Sequence, residues 1–130
     1  MIYGLQQAID GKLNGIISAD VYDHVPQNSA YPLVVIGDTT TNVSDTDTED
    51  GYSALTTIYT WTSEDTLRGY EEVAGIMDEI YNALHHTNLT VSGYGVSVIY
   101  QEFSDLQRDS DGITRQGTQR FRILFEKLGA

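Results

Sequence analysis

The sequence predicts an α+β fold in which a mainly antiparallel sheet of about four to five strands packs against two helices and carries long polar hairpin loops. Three observations predict it. Leu67, Tyr70, Val73, Ala74, Met77, Ile80, Tyr81 and Leu84 recur at spacings of three and four between Thr66 and His86, which is one apolar face of an amphipathic helix. Segments of two-residue alternation lie on both sides of that stretch. Between them run two segments of Asp, Ser, Thr, Asn and Gly with little apolar content. A length of 130 residues with 40% hydrophobic content suits a single domain over 1–130 with a modest core.

Ile2, Leu5, Ala8, Ile9 and Leu13 fall on one face of a short N-terminal helix that Asn14-Gly15 would end. Val21 to Val25 alternates as a short strand and meets Pro26, whose missing N–H confines it to a strand end or edge. His24 has no second His or acidic pair at metal spacing around it, so it reads as a polar strand residue. Leu33-Val34-Val35-Ile36 is an unbroken apolar run suited to a buried strand, extending toward Val43. Asp38 to Gly51 then reads as a mobile hairpin tip, since its side chains offer scarcely any surface to bury. Asp45, Asp47 and Glu49 imitate the start of a calcium loop. The glycine comes one place late, however, and Thr56 stands where the twelfth-position glutamate belongs.

Tyr52 to Trp61 alternates again, with Leu55, Thr57, Tyr59 and Trp61 on one side and Ala54, Thr56, Ile58 and Thr60 on the other. The central helix follows, with Glu64 and Asp65 at its positive end, His85 and His86 at its close, and Asn88 as a left-handed stop. Leu89-Thr90-Val91 and Val96 to Tyr100 read as further strand, kinked at Gly93 or Gly95. Ser104 to Gly117 is the second polar loop, with Asp111-Gly112 as its turn. In the closing strand Phe121, Ile123 and Phe125 alternate with Arg120, Arg122, Leu124 and Glu126, so the phenylalanines should face the central helix and the arginines should face away. The predicted core is Trp61, Val73, Met77, Ile80, Leu84, Phe121, Ile123 and Phe125.

Nineteen acidic against seven basic residues give a formal charge of −12, which opposes the phosphate neutralisation that nucleic-acid binding requires. Against that background Arg108, Arg115, Arg120, Arg122 and Lys127 gather in one stretch. They form either a contact site for an acidic partner, including another copy of the chain, or a solvated strand face. The chain has no cysteine, hence no disulfide and no thiolate chemistry. No apolar run approaches the roughly 20 residues that span a bilayer, and the start lacks a basic region and a hydrophobic signal core, so a cytosolic chain is expected. Nucleophile elbows, zinc-protease motifs and phosphate loops are missing, and neither Glu71-Glu72 nor His85-His86 converges on a common site.

The order of short helix, Val21-Tyr22-Asp23-His24-Val25-Pro26-Gln27 and Tyr31-Pro32-Leu33-Val34-Val35-Ile36-Gly37 resembles the opening of the tail completion, or tail terminator, family of tailed bacteriophages and gene transfer agents. Ile58-Tyr59-Thr60-Trp61 is similar to the family's strand ending in tryptophan. The Tyr70 to Leu84 helix and the Asp111-Gly112 loop with its closing strand follow in the same order. The resemblance implies a small structural subunit without cofactor, metal or catalytic residue, forming a hexameric ring on the head-proximal end of a tail tube. Its partners would be other copies, the tail tube protein and the head or neck connector proteins. DNA would pass through the channel without specific binding, the acidic loop would line that channel, and no membrane would be involved. The subunit would be built in the host cytoplasm and end in the virion tail. Arg108, Arg115, Arg120 and Arg122 on one side and Asp45, Asp47, Glu49 and Asp50 on the other are the candidate interface residues. A head-to-tail connector or neck protein, and a soluble small-molecule-binding module or enzyme, are the competing readings.

Overall fold

The periodic segments of the sequence become two helices and five strands in the computed structural model, which describes residues 2–14, 20–22, 32–46, 49–63, 70–87, 94–108 and 114–127. In chain order they are α1 (Ile2–Leu13), β1 (Asp20–Tyr22), β2 (Leu33–Thr46), β3 (Glu49–Ser63), α2 (Tyr70–Leu84), β4 (Tyr94–Arg108) and β5 (Thr114–Lys127). The strands form one sheet in the order β1-β2-β3-β5-β4, with β1 parallel to β2 and every other pair antiparallel. The chain crosses from β3 through α2 to β4, and β5 returns to fill the gap between those two strands.

Both helices lie on one face of the sheet, α1 against β1 and β2, α2 against β3, β5 and β4, and each against the other. Leu5, Ile9 and Leu13 of α1 are buried, as are Val73, Ile76, Met77, Ile80 and Leu84 of α2, which is the face that the three-and-four spacing marks. Beneath them the sheet contributes Val34, Ile36, Ala54, Ile58, Ile99, Phe121 and Ile123. The helix approaches most closely at Gly117, where an added Cβ would collide with Met77 Sδ and come within 3.2 Å of Val73 Cγ2. One position on, the buried Gln119 donates through Nε2 to the Met77 carbonyl at 3.0 Å and to Gln101 Oε1 at 2.7 Å. That amide therefore joins α2, β5 and β4.

The polar segments carry strand instead of the predicted long loops. β2 and β3 stay paired, past a register shift between Ile36 and Thr39, as far as Thr46↔Glu49, and β4 and β5 as far as Arg108↔Arg115. The reason is cross-strand completion: residues 39–46 have little to bury, but their backbone groups pair with residues 49–56 once the neighbouring residues fix the register, and the threonines favour extended backbone. Residues 47–48 and 109–113, like Leu89–Val91, His24, the predicted helix start at Thr66 and the predicted stop at Asn88, fall outside the described residues. The helix stop that is described is His86, at φ 58°, with the Thr87 hydroxyl donating to the Ala83 and Leu84 carbonyls at 3.0 and 2.9 Å.

Trp61 is a second correction. It is half-buried, stacked on Tyr59 at 5.6 Å on the face away from the helices. Ala54, Thr56, Ile58, Thr60 and Thr62 take the helix side and are buried. Thr60 lies opposite Gly117, where α2 comes closest and a tryptophan would not fit, while small β-branched side chains do. Val73, Met77, Ile80, Leu84, Phe121 and Ile123 are buried as predicted; the Phe125 side chain falls outside the described residues.

Truncating Ile80 or Phe121 to alanine should lower stability by about 2–5 kcal/mol, and Gly117→Val by about 1–3 kcal/mol through overpacking against Met77 and Val73. Urea unfolding checks both, and Trp61→Ala should cost less than Phe121→Ala. Equal losses at Trp61 and Phe121 would put the tryptophan back in the core.

Candidate interaction surface

The four predicted arginines divide among different environments. In β5, odd-numbered positions face the helices and even-numbered ones face away, so Arg115 lies on the helix side, only 3% exposed, whereas Arg120 is exposed on the far side. Arg120 and Arg122 thus face away from the helices as their alternation predicts, while Arg115 of the same cluster faces them. Arg122 is half-buried on the far side. Its Nε and Nη2 donate to the two Glu102 oxygens at 2.8 and 3.1 Å and its Nη1 donates to Ser53 Oγ at 2.8 Å, binding β5 to both neighbouring strands. The guanidinium hydrogen bond holds the Glu102 carboxyl below its usual range and raises Arg122 in return. Arg120 has its guanidinium carbon 4.6 Å from the centre of the Phe103 ring, and Phe103 is 41% exposed. Arg108 is exposed at the end of β4, directly across from Arg115 in register.

The acidic candidates sit at the other end of the sheet. Gly51 pairs with Glu126 and Ser63 with Thr114, so the β2–β3 turn and the β4–β5 turn lie at opposite ends of the long strands. Asp45 and Asp50 are Cα partners in the first hairpin, next to the Thr46↔Glu49 pair; Asp47 and the side chains of Asp45, Glu49, Asp50 and Lys127 are outside the described residues. The acids and the exposed Arg108 are thus at opposite ends of one subunit, and Arg120 is in between. Among the described residues no group of three or more His, Asp or Glu could hold a metal ion, and no helix is long and apolar enough to cross a membrane.

Sequence reasoning passed over Phe103, Glu102 and Ser53, which give the arginine face its shape. The irregularity responsible is a β-bulge between Gln101 and Phe103, which inserts Glu102 as an unpaired residue and turns its carboxylate toward Arg122. A period-two reading that stops at Tyr100 cannot see it.

The end of α2 is fixed to β4 by a second small constellation. Tyr81, His85 and His86 stack in sequence, at 4.4 Å and 3.9 Å between ring centres. His85 Nδ1 accepts the Gln101 backbone N–H at 3.1 Å, while the His86 N–H donates to the Ile99 carbonyl at 2.8 Å. Desolvation, and then the neighbouring His86, hold His85 below the usual histidine range.

Residues 7–126 match the family model described as tail completion protein gp17. Among solved structures, a chain from the virion of a native gene transfer agent particle is similar in fold, with a TM-score of 0.80 at 19% identity, covering 94% of each chain. A comparison with curated proteins finds no match.

An acceptor at His85 Nδ1 requires the neutral ring. The folded state lowers the His85 pKa, so this contribution to stability is present above the ordinary value near 6.5 and is lost as pH falls through the lower, folded value. NMR titration should place the His85 midpoint below that of an exposed histidine, and exchange of the Gln101 amide should quicken as His85 protonates. A normal midpoint with an unchanged Gln101 amide would remove the hydrogen bond.

Proposed function

The chain belongs to the gp17 tail completion protein family, structural proteins of phage tails, and from that membership we propose that it caps the head-proximal end of a tail tube as a ring of six copies. The cap ends tube polymerisation and forms the joint to the head or neck proteins. The subunit is made in the host cytoplasm and incorporated into the tail.

The segregation of charge along the sheet is the observation that carries this reading. Within one subunit the acidic hairpin end at Asp45, Glu49 and Asp50 lies too far along the strands to meet the exposed Arg108 and Arg120. A contact in which the acidic end of one copy meets the arginine-bearing strands of the next is heterologous, and heterologous contacts close into rings when the rotation closes. Specific contacts of this kind offset the repulsion among copies that each carry −12. β3, at fifteen residues, spans about 50 Å, whereas α2, also fifteen residues, spans about 22 Å. The hairpins therefore overhang the helical layer as arms that reach a neighbour. Acidic arms near the channel would keep passing DNA from adhering.

Of the four arginines, Arg120 is the one whose reversal reads the contact most cleanly. Arg115 is buried and Arg122 is committed to Glu102 and Ser53 within its own subunit. A connector or neck role uses the same kind of ring and differs in what it docks on. An enzymatic role has no observation in its favour.

Sedimentation of Arg120→Glu should show a shift from the six-copy species toward smaller ones, with thermal unfolding of the subunit unchanged because the side chain is exposed. A wild-type ring titrated with duplex DNA at low salt should show no association. An Arg120→Glu protein that assembles like the wild type would take this face out of the contact, and tight DNA binding would overturn the channel assignment.

A further inference from the structure

On the helix-bearing face, away from Arg120 and Arg122, an open groove runs between α2 and β4. It consists of a cavity of about 330 Å³ walled by Ala74, Met77, Ser104 and Leu106. This continues past Asp78 into one of about 260 Å³ that reaches Tyr81 and Gln101, with Gln119 on its floor. Two apolar side chains are left open along it, Leu106 at 40% and Tyr81 at 37% exposed. Its polar lining is rich in acceptors. Asp78 is an exposed carboxylate, and α2 as a whole carries Glu71, Glu72, Asp78 and Glu79 with no Lys or Arg. Gln119 is only 2% exposed, and its Oε1 has no hydrogen-bond partner although its Nε2 has two. A buried acceptor left unmatched is costly unless something supplies a donor.

The strand beside the groove is open as well. β4 is the last strand of the sheet. Its bulges are confined to Val96–Val98 and Gln101–Phe103, so from Phe103 to Arg108 the ladder with β5 is unbroken, and this edge is exposed almost throughout. The ladder is regular over these six residues, which include the charged Asp105 and Arg108, and among the described residues no strand pairs with the outer side of β4, so this edge is a template for an added strand.

We infer that the α2–β4 groove is a docking site for an extended segment of a different protein, which adds as a strand to Phe103–Arg108 and places a Lys or Arg side chain into the groove beside Asp78. The aliphatic stem lies against Met77 and Leu106, and the cationic head donates to Asp78 and toward Gln119 Oε1. Apart from β4 itself, the described strand edges of a second copy do not supply such a segment. Among the described residues the other open strand edges are β1, reading DVY, and β2 beyond Val35, reading IGDTTTNVSDT, and neither contains a Lys or Arg. The inference is tested apart from the ring, because Arg120, the residue reversed in the ring test, lies on the other face of the sheet from the groove.

The test uses the full chain and two capped seven-residue peptides, Thr-Val-Thr-Arg-Thr-Val-Thr and the same sequence with Glu in place of Arg, followed by amide hydrogen exchange and NMR shifts at 150 mM salt, a condition that screens exposed charges beyond about 8 Å. The arginine peptide should protect alternate amides between Phe103 and Arg108 and shift the signals of Ala74, Met77 and Leu106, and the glutamate peptide should do neither. Asp78→Lys should weaken binding by about tenfold or more, the loss of one charge-assisted hydrogen bond, with Asp78→Asn between it and the wild type. Equal response to both peptides, or shifts centred on Asp45 and Asp50 with β4 unaffected, would overturn the site as simple adhesion to an acidic protein. Protection of Phe103–Arg108 in the protein alone that disappears on dilution would assign the groove to a second copy and overturn the choice of partner.

Discussion

Everything else in the structure depends on how α2 is seated on β5. The seat is made where β5 has no side chain, at Gly117, and where it has a buried amide, at Gln119, with Phe121 and Ile123 continuing the contact toward the other end. Met77 occupies the space over the glycine and also offers its carbonyl to the glutamine. Close packing and a fixed hydrogen bond thus set the same helix position. Because Gln119 also bonds Gln101, the seat fixes β4 together with the helix. The His85 and His86 bonds to β4 then hold the far end of α2.

That seat leaves the sheet with two unlike faces. The helix side is filled by small β-branched and aliphatic residues, and the far side carries the stacked Tyr59 and Trp61, the Arg122–Glu102 pair and Arg120 over Phe103. An ion pair this exposed contributes little to stability, about 0–1 kcal/mol. Its structural effect is to hold Glu102 and Arg122 to each other, which leaves Arg120, among the described residues, as the exposed cation on that face. The long strands place the Asp45↔Asp50 pair and Arg108 at opposite ends of the sheet.

Much of this was legible in the residues. The three-and-four spacing of Val73, Met77, Ile80 and Leu84 and the alternation of Phe121 and Ile123 identify both sides of the core, because burial imposes those periods directly. The phase of β3 was not legible, since Tyr59 and Trp61 on one side and Ile58 and Ala54 on the other are both apolar. The deciding contact is Thr60 against Gly117, 57 residues away in sequence. The extent of the hairpins was hidden for a similar reason: hydropathy reports burial, and the ends of these strands are held by their backbone ladder. Of the candidate site, the arginines were visible as a cluster. Their separation into a buried Arg115, an internally bonded Arg122 and an exposed Arg120 follows from strand parity and from a bulge with no sequence signal.

Electron microscopy of tail tubes mixed with the purified chain tests most directly the proposal that this protein closes one end of a tail tube. Ring-shaped density should be added at one end of each tube, the head-proximal end, and the tubes should no longer elongate when fresh tube subunits are supplied. Tubes that stay bare at both ends and elongate as before would contradict it.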